Sequence, residues 1–188
     1  MIQGSEQWHT ARKGRITGSM FSAVLGLNPY VSRQKAWRLI TGREPPVTTN
    51  PAMQWGVDNE ENARDAYETE SGNIVLPCGF SIHPLHDFIG CSPDGFVGAD
   101  GVAEFKCPQR LYEGIPDYYH PQILGEIHIT GRQWCDFTAW TPEGHWTKRV
   151  ERDEKAWKEI EEKLIEFWET YVLGDVEPPR KRRSKNGV

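Results

Sequence analysis

The sequence predicts an α/β (α+β) sandwich in which helices flank a mixed central β-sheet. Helix patterns occupy residues 5–71, and short strand-like runs separated by Gly and Asp occupy residues 74–107. A further helix, two strands and a last helix follow. Because helices and strands follow one another in this order, a sheet that carries helices on its faces is the expected architecture.

Three short helices are predicted in the amino-terminal third. Ser and Thr side chains accept hydrogen bonds from the first N–H groups of a helix, and Gly commonly ends one. The predicted N-caps are Ser5, Thr17 and Ser32, and the glycines that end the helices are Gly14, Gly26 and Gly42. Residues 43–50 contain two adjacent prolines and predict a loop.

A longer helix is predicted to begin at Asn50-Pro51 and to end at about Ser71, before Gly72. Proline is favoured at the first helical position because its fixed φ suits the helix and its missing N–H has no partner there. Side chains three and four residues apart lie along one side of this helix. Most of that side is predicted core, and Glu60 is its acidic member.

Five short strands are predicted after this helix. They cover residues 74–76, 79–83, 88–91, 95–97 and 102–107. Asp100-Gly101 is a two-residue turn signal and predicts that Asp94–Val97 and Val102–Lys106 pair antiparallel. Because side chains alternate along a strand, Glu104 and Lys106 share one face, and Phe105 points into the core.

The carboxy-terminal part is predicted to add two helices and two strands. Residues 117–129 form a helix in which Pro121 is tolerable only in the first turn. Strands over 133–141 and 145–151 follow, and Asp153 caps an amphipathic helix over 154–173.

Composition predicts one soluble domain over residues 1–177 and a flexible basic tail over residues 178–188. The tail contains five of the chain's cations, and without their charges the formal net charge of −5 becomes −10 for the rest of the chain. The tail could contact phosphates non-specifically or simply be solvated. No membrane span or signal peptide is visible, so a cytoplasmic location is expected.

Cysteine and histidine spacing predicts no metal site of the zinc or iron–sulfur kind. The four cysteines, Cys78, Cys91, Cys107 and Cys135, form no CxxC pair and are interpreted as buried free thiols. The six histidines are scattered, and they are interpreted as structural groups or polar contacts.

The most informative motif is Asp94, nine intervening residues, and then Glu104-Phe105-Lys106. Two carboxylates and a lysine on adjacent short strands are what a magnesium-dependent phosphodiester hydrolase needs. The carboxylates bind a hard cation through oxygen, and the cation activates water and stabilises charge on the phosphate. Lys106 can lower the cost of forming hydroxide or steady the developing oxyanion.

The Asp…Glu-x-Lys arrangement resembles the active-site motif of the PD-(D/E)xK nuclease superfamily. The sequence segments around it resemble motifs of the family of phage lambda exonuclease and its YqaJ-type viral recombinase relatives. The matching segments share the family's order along the chain, from about residue 3 to about residue 152. They are Gln3-Gly4-Ser5 with Trp8-His9 and Arg12, Ile16–Ser19, Trp55-Gly56 with Glu60–Arg64, Cys91–Gly95, Glu104–Pro108 and Tyr119–Gln122.

This resemblance implies a restriction-endonuclease-like core and a processive, magnesium-dependent 5′→3′ exonuclease. Such an enzyme digests one strand of duplex DNA from its ends and leaves a 3′ single strand for a single-strand annealing protein in phage-type recombination. Two Mg²⁺ ions are expected, and Mn²⁺ could replace them. Family members form a homotrimeric ring around the DNA.

The resemblance also assigns roles to individual residues. Asp94 and Glu104 would hold the metal, with the backbone carbonyl of Phe105 as a further ligand, and Lys106 would be the catalytic lysine. Glu60 would act through a water on the second ion, although neighbouring Glu61 competes for this position. The ordinary alternative for Glu60 is a solvated helix acid.

Two further groups of residues receive roles from the same motifs. Gln122, one helical turn from Tyr119, would position the nucleophilic water or the phosphate, whereas ordinary helix packing is the alternative for both. Arg12, Ser19 and Ser92 are candidates for a 5′-phosphate pocket, since Arg offers a bidentate fork and Ser19 lies near a helix start.

Two other functions are compatible with these residues. Another nuclease of the same fold, an endonuclease or a 3′→5′ enzyme, would carry the same Asp94, Glu104 and Lys106, but Arg12 and Ser19 argue against it. A non-catalytic module that binds DNA ends and recruits a recombinase is the second alternative. The intact acidic and lysine residues argue against that one.

Overall fold

A computed structural model describes residues 3–46 and 49–180. The predicted flexible tail lies for the most part outside the described residues, which end at Arg180. None of the helices in the described ranges is both long and apolar enough to cross a membrane. The described residues have the predicted fold class, a mixed β-sheet with helices packed on it.

The first three helices begin where the sequence predicts. They are α1 (Glu6–Arg12), α2 (Gly18–Val24) and α3 (Arg33–Ile40). The hydroxyl groups of Ser5 and Ser32 each accept a backbone N–H at 3.2 Å, as N-caps do. Thr17 precedes α2, but its hydroxyl makes no capping bond and instead lies 3.4 Å from the hydroxyl of Ser19.

Helix α4 (Pro51–Ser71) has both predicted ends. The side chain of Asn50 accepts a hydrogen bond from the N–H of Met53 at 2.9 Å. Gly72 ends the helix in the left-handed conformation, at φ 70°, which glycine adopts without steric cost. The helix is anchored to the sheet by a buried bond in which Tyr67 donates to Asp136 at 2.8 Å, and burial raises the pKa of Tyr67 to about 12.

The described residues contain eight strands, which form two sheets. The strands are β1 (Ile16–Thr17), β2 (Val75–Leu76), β3 (Ser81–Ile82), β4 (Ile89–Cys91), β5 (Gly95–Val97), β6 (Gly101–Lys106), β7 (Trp134–Thr141) and β8 (Gly144–Glu151). The main sheet has the order β2-β5-β6-β7-β8, and all its neighbours are antiparallel except β6 and β7. The parallel step makes this a mixed sheet, as predicted.

A crossover helix joins the two parallel strands, as a parallel pair requires. A short 3₁₀ turn, Asp117–Tyr119, leads into α5 (His120–Ile129), in whose first turn Pro121 lies. The last helix, α6 (Glu154–Phe167), is capped by Asp153 and continues as a π-helical segment over Trp168–Leu173. The predicted helix over 154–173 is therefore continuous but changes its winding at Trp168.

The turn between β5 and β6 differs from the prediction. Gly98, Ala99 and Asp100 connect the strands, and Gly101 is already the first residue of β6, opposite Val97. The prediction of a two-residue turn at Asp100-Gly101 is wrong, although the predicted antiparallel pairing is confirmed. Gly101 is needed inside the strand because a Cβ atom there would lie 2.1 Å from the Trp134 ring.

A second, smaller sheet was not predicted. It has the order β1-β4-β3, with β1 parallel to β4 and β3 antiparallel to it. Strand β1 leads directly into α2, so this sheet fixes the entry of α2 beside the main sheet. A Cβ atom at Gly90 would lie 2.8 Å from the carbonyl oxygen of Ser81. The close approach of β3 to β4 therefore requires glycine at this position.

Both faces of the main sheet are buried. On one face, Val102 of β6 packs with Ile123 and Ile127 of α5. On the other face, Ala103 and Phe105 of β6 pack with α4. A third cluster holds α2, α3, α6 and the small sheet together. Strand alternation thus directs Glu104 and Lys106 toward α5 and Phe105 toward the core under α4, as predicted.

The cysteines and histidines only partly follow their predictions. All four cysteines are free thiols, but only Cys91 and Cys135 are buried, and Cys78 and Cys107 are half-buried. The structure also brings His83, His86 and Glu161 together, with one ligand atom from each within 4.8 Å of the others.

His83 does not offer this group a metal-binding lone pair. Its Nδ1 accepts the N–H groups of Leu85 and His86 at 3.2 and 3.1 Å, so its Nε2 carries the proton and donates to Glu161 at 2.8 Å. Burial lowers the pKa of His83, in keeping with a neutral ring. We interpret the His83–Glu161 contact as a hydrogen-bonded link between α6 and the residue that follows β3.

Candidate active site

An open cleft of about 550 Å³ lies beside β6, next to the first residue of β5. Strand β5 begins at Gly95, opposite Ala103, so residues 104–106 of β6 extend beyond it. Helices α1, α4 and α5 and the amino-terminal end of α2 complete the walls. All ten predicted site residues line this one cleft: Arg12, Ser19, Glu60, Ser92, Asp94, Glu104, Phe105, Lys106, Tyr119 and Gln122.

Asp94 lies at the open edge of β6, held by the strand itself. Its Oδ2 accepts the backbone N–H of Phe105 at 2.6 Å, and its own carbonyl oxygen accepts a bond from Arg64 at 3.2 Å. Burial raises the pKa of Asp94, although Lys106 and the Phe105 N–H oppose this. The side chain is therefore fixed in place with one carboxyl oxygen turned to the backbone.

Phe105 joins the cleft through its backbone. Its side chain is 4% exposed and packs against Tyr67 in the core. The N–H and C=O groups of one strand residue point to the same side. Because the Phe105 N–H meets Asp94, its carbonyl group lies on the Asp94 side of β6 as well.

Glu104 and Lys106 form a direct ion pair on the α5 face of β6. The Glu104 side chain is 2% exposed and that of Lys106 is 25% exposed. Burial, followed by the neighbouring Asp94 carboxylate, raises the pKa of Glu104 to about 7. Burial alone would lower the pKa of Lys106, but the carboxylates of Glu104 and Asp94 hold it well above its ordinary value.

Glu60, rather than Glu61, reaches this group of charges. Glu60 is half-buried on α4 and lines the cleft, whereas Glu61 is exposed on the next position of the helix. Burial and the charge of Asp94 raise the pKa of Glu60, and Lys106 and Arg64 lower it. Arg64, one turn further along α4, lies 4.0 Å from Glu60 and had no predicted role.

Helix α5 carries Gln122, and the 3₁₀ turn that leads into α5 carries Tyr119, to the opposite wall. The Nε2 atom of Gln122 donates to Oε1 of Glu104 at 2.6 Å. The Nζ atom of Lys106 lies 5.3 Å from the centre of the Tyr119 ring, a cation–π distance. Tyr119 is also 3.3 Å from Tyr112 through their hydroxyl groups.

Glu126 is a cleft residue to which the sequence analysis assigned no role. It is fully buried on α5, one turn beyond Gln122, and its Oε1 accepts a second bond from Gln122 Nε2 at 2.8 Å. Burial and the nearby Glu104 raise its pKa well above the ordinary range. The available signal was its spacing of four residues from Gln122, which places both on one side of the helix.

The three candidate phosphate residues lie together at a second part of the cleft. Arg12 reaches the hydroxyl of Ser19 at 3.5 Å, and its guanidinium lies 4.1 Å above the Trp8 ring. Trp8 in turn donates its indole N–H to Ser92 at 2.9 Å. Trp8 thus connects Arg12 to Ser92, and Ser92 is two residues from Asp94.

The donor set of the cleft fits a divalent cation. Oε2 of Glu104 and Oε2 of Glu126 are buried and meet no N–H or O–H donor within residues 3–46 and 49–180. The charge of Glu104 helps to raise the pKa of Glu126, so a proton held by Glu126 and a cation held by Glu104 would relieve the repulsion between them. Carboxylates crowded in this way raise one another's pKa, and a hard cation with oxygen ligands relieves that repulsion.

Residues 7–133 match the YqaJ-like viral recombinase domain. Among solved structures, LHK-Exo, an alkaline exonuclease from Laribacter hongkongensis, is similar with a TM-score of 0.78 and 32% sequence identity over 90% of this chain and 94% of that chain. LHK-Exo in complex with dAMP gives a TM-score of 0.80 at 30% identity, with the same coverage. A phage-related exonuclease from Haemophilus somnus 129PT, at 13% identity and a TM-score of 0.63, shares the fold.

Two curated proteins are similar over much of the chain. Protein YqaJ of Bacillus subtilis is 28% identical over 186 residues, which cover 92% of this chain and 58% of that protein. Protein D345L of African swine fever virus is 31% identical over 165 residues, which cover 68% of this chain and 46% of the viral protein. The chain spans about half the length of these curated relatives.

Proposed function

Because the chain belongs to the YqaJ-like viral recombinase domain family, we propose that it is a magnesium-dependent deoxyribonuclease that digests one strand of duplex DNA from its 5′ end. The observation that carries this proposal is the convergence of Asp94, Glu104, Lys106 and Glu60 on one open cleft. The similar structures named exonucleases, one of them holding dAMP, support DNA as the substrate.

The residues that would hold Mg²⁺ are Asp94, Glu104 and the carbonyl group of Phe105, with Glu60 acting through a water. When bound, the cation supplies neutralisation of the phosphate charge and a water of lowered pKa, which is the chemistry that phosphodiester hydrolysis lacks in water. Two ions, with Mn²⁺ as a possible replacement, fit the number of carboxylates in the cleft.

Lys106 and Gln122 act directly on the reacting groups in this proposal. The ammonium group of Lys106 stays positively charged because two carboxylates raise its pKa. It can therefore stabilise the negative charge that develops on the phosphate or on the attacking oxygen. Gln122 holds the nucleophilic water, and Tyr119 supports the lysine through its ring.

The direction of digestion is proposed from the second part of the cleft. Arg12, Ser19 and Ser92 offer a guanidinium fork and two hydroxyl groups to a terminal 5′-phosphate. The contact between Arg12 and Ser19 and the link from Trp8 to Ser92 support a shared pocket. An endonuclease or a 3′→5′ enzyme would have no use for such a pocket beside its catalytic acids.

The role in the cell is proposed from the family. The 3′ single strand left behind would be passed to a single-strand annealing protein in phage-type homologous recombination. A homotrimeric ring around the DNA would make digestion processive by topology, without tight sequence-specific contacts. Contacts to phosphates would then dominate DNA binding, so activity should fall as salt concentration rises.

A linear duplex incubated with Mg²⁺ tests the activity. The wild-type chain should shorten it, and chelation of the cation should stop the reaction. Lys106→Ala should lower turnover by at least about 100-fold, the size expected for one charge-stabilising group, while duplex binding stays near that of the wild type. Turnover of Lys106→Ala close to wild type would remove the lysine from the mechanism, and an inactive wild type that still binds DNA ends would favour the non-catalytic module.

A further inference from the structure

The amide of Gln122 lies between two carboxyl groups. Its Nε2 donates to Oε1 of Glu104 at 2.6 Å and to Oε1 of Glu126 at 2.8 Å. An amide nitrogen has two hydrogens, and these two bonds use both. Because Oε1 of Glu104 and Oε1 of Glu126 both accept here, the end of the amide that faces them is the nitrogen and the other end is the oxygen.

Within residues 3–46 and 49–180, these hydrogen bonds of the Gln122 amide use only its nitrogen, so its carbonyl oxygen is the end that can bind a further group. An oxygen accepts, so it can take a hydrogen from a water molecule and turn the water's lone pairs elsewhere. An NH₂ group in the same place would instead donate to a phosphate oxygen. The orientation of one amide therefore decides whether Gln122 holds the nucleophile or the substrate.

Glu104 alone does not secure this orientation. It also pairs with Lys106, and it belongs to the proposed cation ligands, so its Oε1 is shared between several partners. Glu126 is fully buried, lies on the same helix as Gln122, and is pressed against the start of α2. There, a Cβ atom at Gly18 would come within 3.7 Å of Glu126 Oε1 and 3.5 Å of Gln122 Cγ.

We propose that Glu126 is a positioning residue that locks the Gln122 amide, so that the carbonyl oxygen of Gln122 faces the nucleophilic water. The inference rests on the proposed nuclease function for its chemical meaning, and on the two hydrogen bonds of Gln122 for its geometry. In this proposal Glu126 acts on the nucleophile through Gln122 and not by direct contact.

The position is costly to the fold, which argues for a functional reason to keep it. A fully buried carboxyl group beside a second carboxyl group opposes folding, and an apolar side chain of similar size is often neutral or stabilising at such positions. Glu126→Leu should therefore fold with a melting temperature at or above that of the wild type. A merely structural glutamate would show the opposite result.

Three variants test the proposal kinetically. Glu126→Leu should lower kcat by about 10- to 100-fold, as loss of an orienting partner does, with little change in KM for duplex DNA. Glu126→Gln keeps an acceptor oxygen at this point and should recover most of that loss. In a double-mutant cycle, Glu126→Leu should cost little further activity in a Gln122→Leu background, because both changes remove the same oriented carbonyl group.

A measurement that does not depend on activity separates this inference from the proposed function. In ¹H–¹⁵N spectra, the side-chain NH₂ signals of Gln122, identified by their absence in Gln122→Leu, should show two protons protected from exchange. One of them should lose protection in Glu126→Leu. If the wild type proves not to be a nuclease, this readout still reports whether the amide is locked.

Three outcomes would overturn the inference. The first is an unchanged Gln122 signal in Glu126→Leu. The second is additive loss in the double-mutant cycle. The third is a loss of Mn²⁺ binding in Glu126→Leu, by calorimetry, as large as the loss in Glu104→Gln, because Glu126 would then be a metal ligand and not a positioning residue.

Discussion

The position of Glu104 on the α5 face of β6 buries its carboxyl group, whereas binding a cation requires that group to be ionised. Its side chain is 2% exposed, and burial raises its pKa to about 7 from an ordinary 4.5. In the absence of a cation, the native protein therefore holds a proton on Glu104 more tightly than the unfolded chain does. Over this range the unfolded chain ionises first, so the contribution of Glu104 to stability falls as pH rises.

The pH dependence of stability follows from this shift. As the pH rises from about 5 to about 8, Glu104 should lower the free energy of unfolding of the cation-free protein by most of about 3 kcal/mol. This figure takes about 1.4 kcal/mol for each unit by which the pKa is raised. Urea unfolding in the presence of a chelator should show that Glu104→Gln is stabilised relative to wild type at pH 8 and much less so at pH 5. The exposed Glu166→Gln on α6 is the control. Glu166→Gln should follow the pH dependence of the wild type, and the burial argument would be wrong if Glu104→Gln followed it as well.

Two matched variants, Glu60→Gln and Glu61→Gln, test the assignment of Glu60 rather than Glu61 to the cleft. Glu60 lines the cleft and Glu61 is exposed, so Glu60→Gln should weaken Mn²⁺ binding by about 10-fold or more. Glu61→Gln should bind Mn²⁺ like the wild type. Calorimetric titration of the two purified variants measures both values, and equal losses would mean that α4 presents a different face to the cleft.

Single residues were predictable from sequence to different degrees. Strand alternation placed Glu104 and Lys106 on one face and Phe105 on the other, because that period does not depend on tertiary contacts. Glu126 could not be found this way, since an acid four residues after a glutamine is common on solvated helices. Only the packing of α5 against β6 shows that this side of the helix is buried and faces Glu104.

At the scale of elements, the site depends on how closely α5 approaches α2. Gly125 of α5 makes this approach possible: a Cβ atom there would lie 2.3 Å from the Phe21 ring and 3.1 Å from the Trp157 ring. Phe21 is fully buried, so its ring has no free space to move into. The same helix carries Gln122 and Glu126, so a shift of α5 would move both.

Two alanine substitutions at helical glycines should therefore have opposite effects. Gly125→Ala should destabilise the protein by about 1–3 kcal/mol through overpacking and should lower activity, because α5 is pushed from the cleft. In α4, apart from the chain neighbours and the helix backbone, no atom of the described residues lies within 4 Å of a Cβ added at Gly56, so Gly56→Ala should instead stabilise by up to about 1 kcal/mol through helix propensity. Urea unfolding measures both, and a stabilised Gly125→Ala would contradict the packing argument.

The elements themselves were largely visible in the sequence. Capping residues and glycine ends located the helices, since these signals are local. The small sheet was not foreseen, because β1 and β3 are two residues long and show no alternation of their own. Their pairing with β4 depends on chain segments far apart in sequence, such as Ile16 with Ile89.

At the scale of the molecule, an acidic chain acts on an acidic polymer in our proposal. The formal net charge is −5, so duplex DNA must be drawn by local positive charge, such as that of Arg12 in the cleft, and by bound cations. A ring of three copies would enclose the DNA despite this charge. Light scattering of the purified chain reports the mass of the assembly, and a monomer at working concentration would contradict a processive ring.

The direction of digestion is the central claim, and one measurement tests it most directly. A linear duplex carries a distinguishable label at the 5′ end and at the 3′ end of one strand, with either a phosphate or a hydroxyl on its 5′ terminus. With Mg²⁺, we predict early release of the 5′ label as a mononucleotide, retention of the 3′ label on a shortening strand, and faster digestion of the phosphorylated end. Early release of the 3′ label, or internal cuts that release neither label first, would contradict the account.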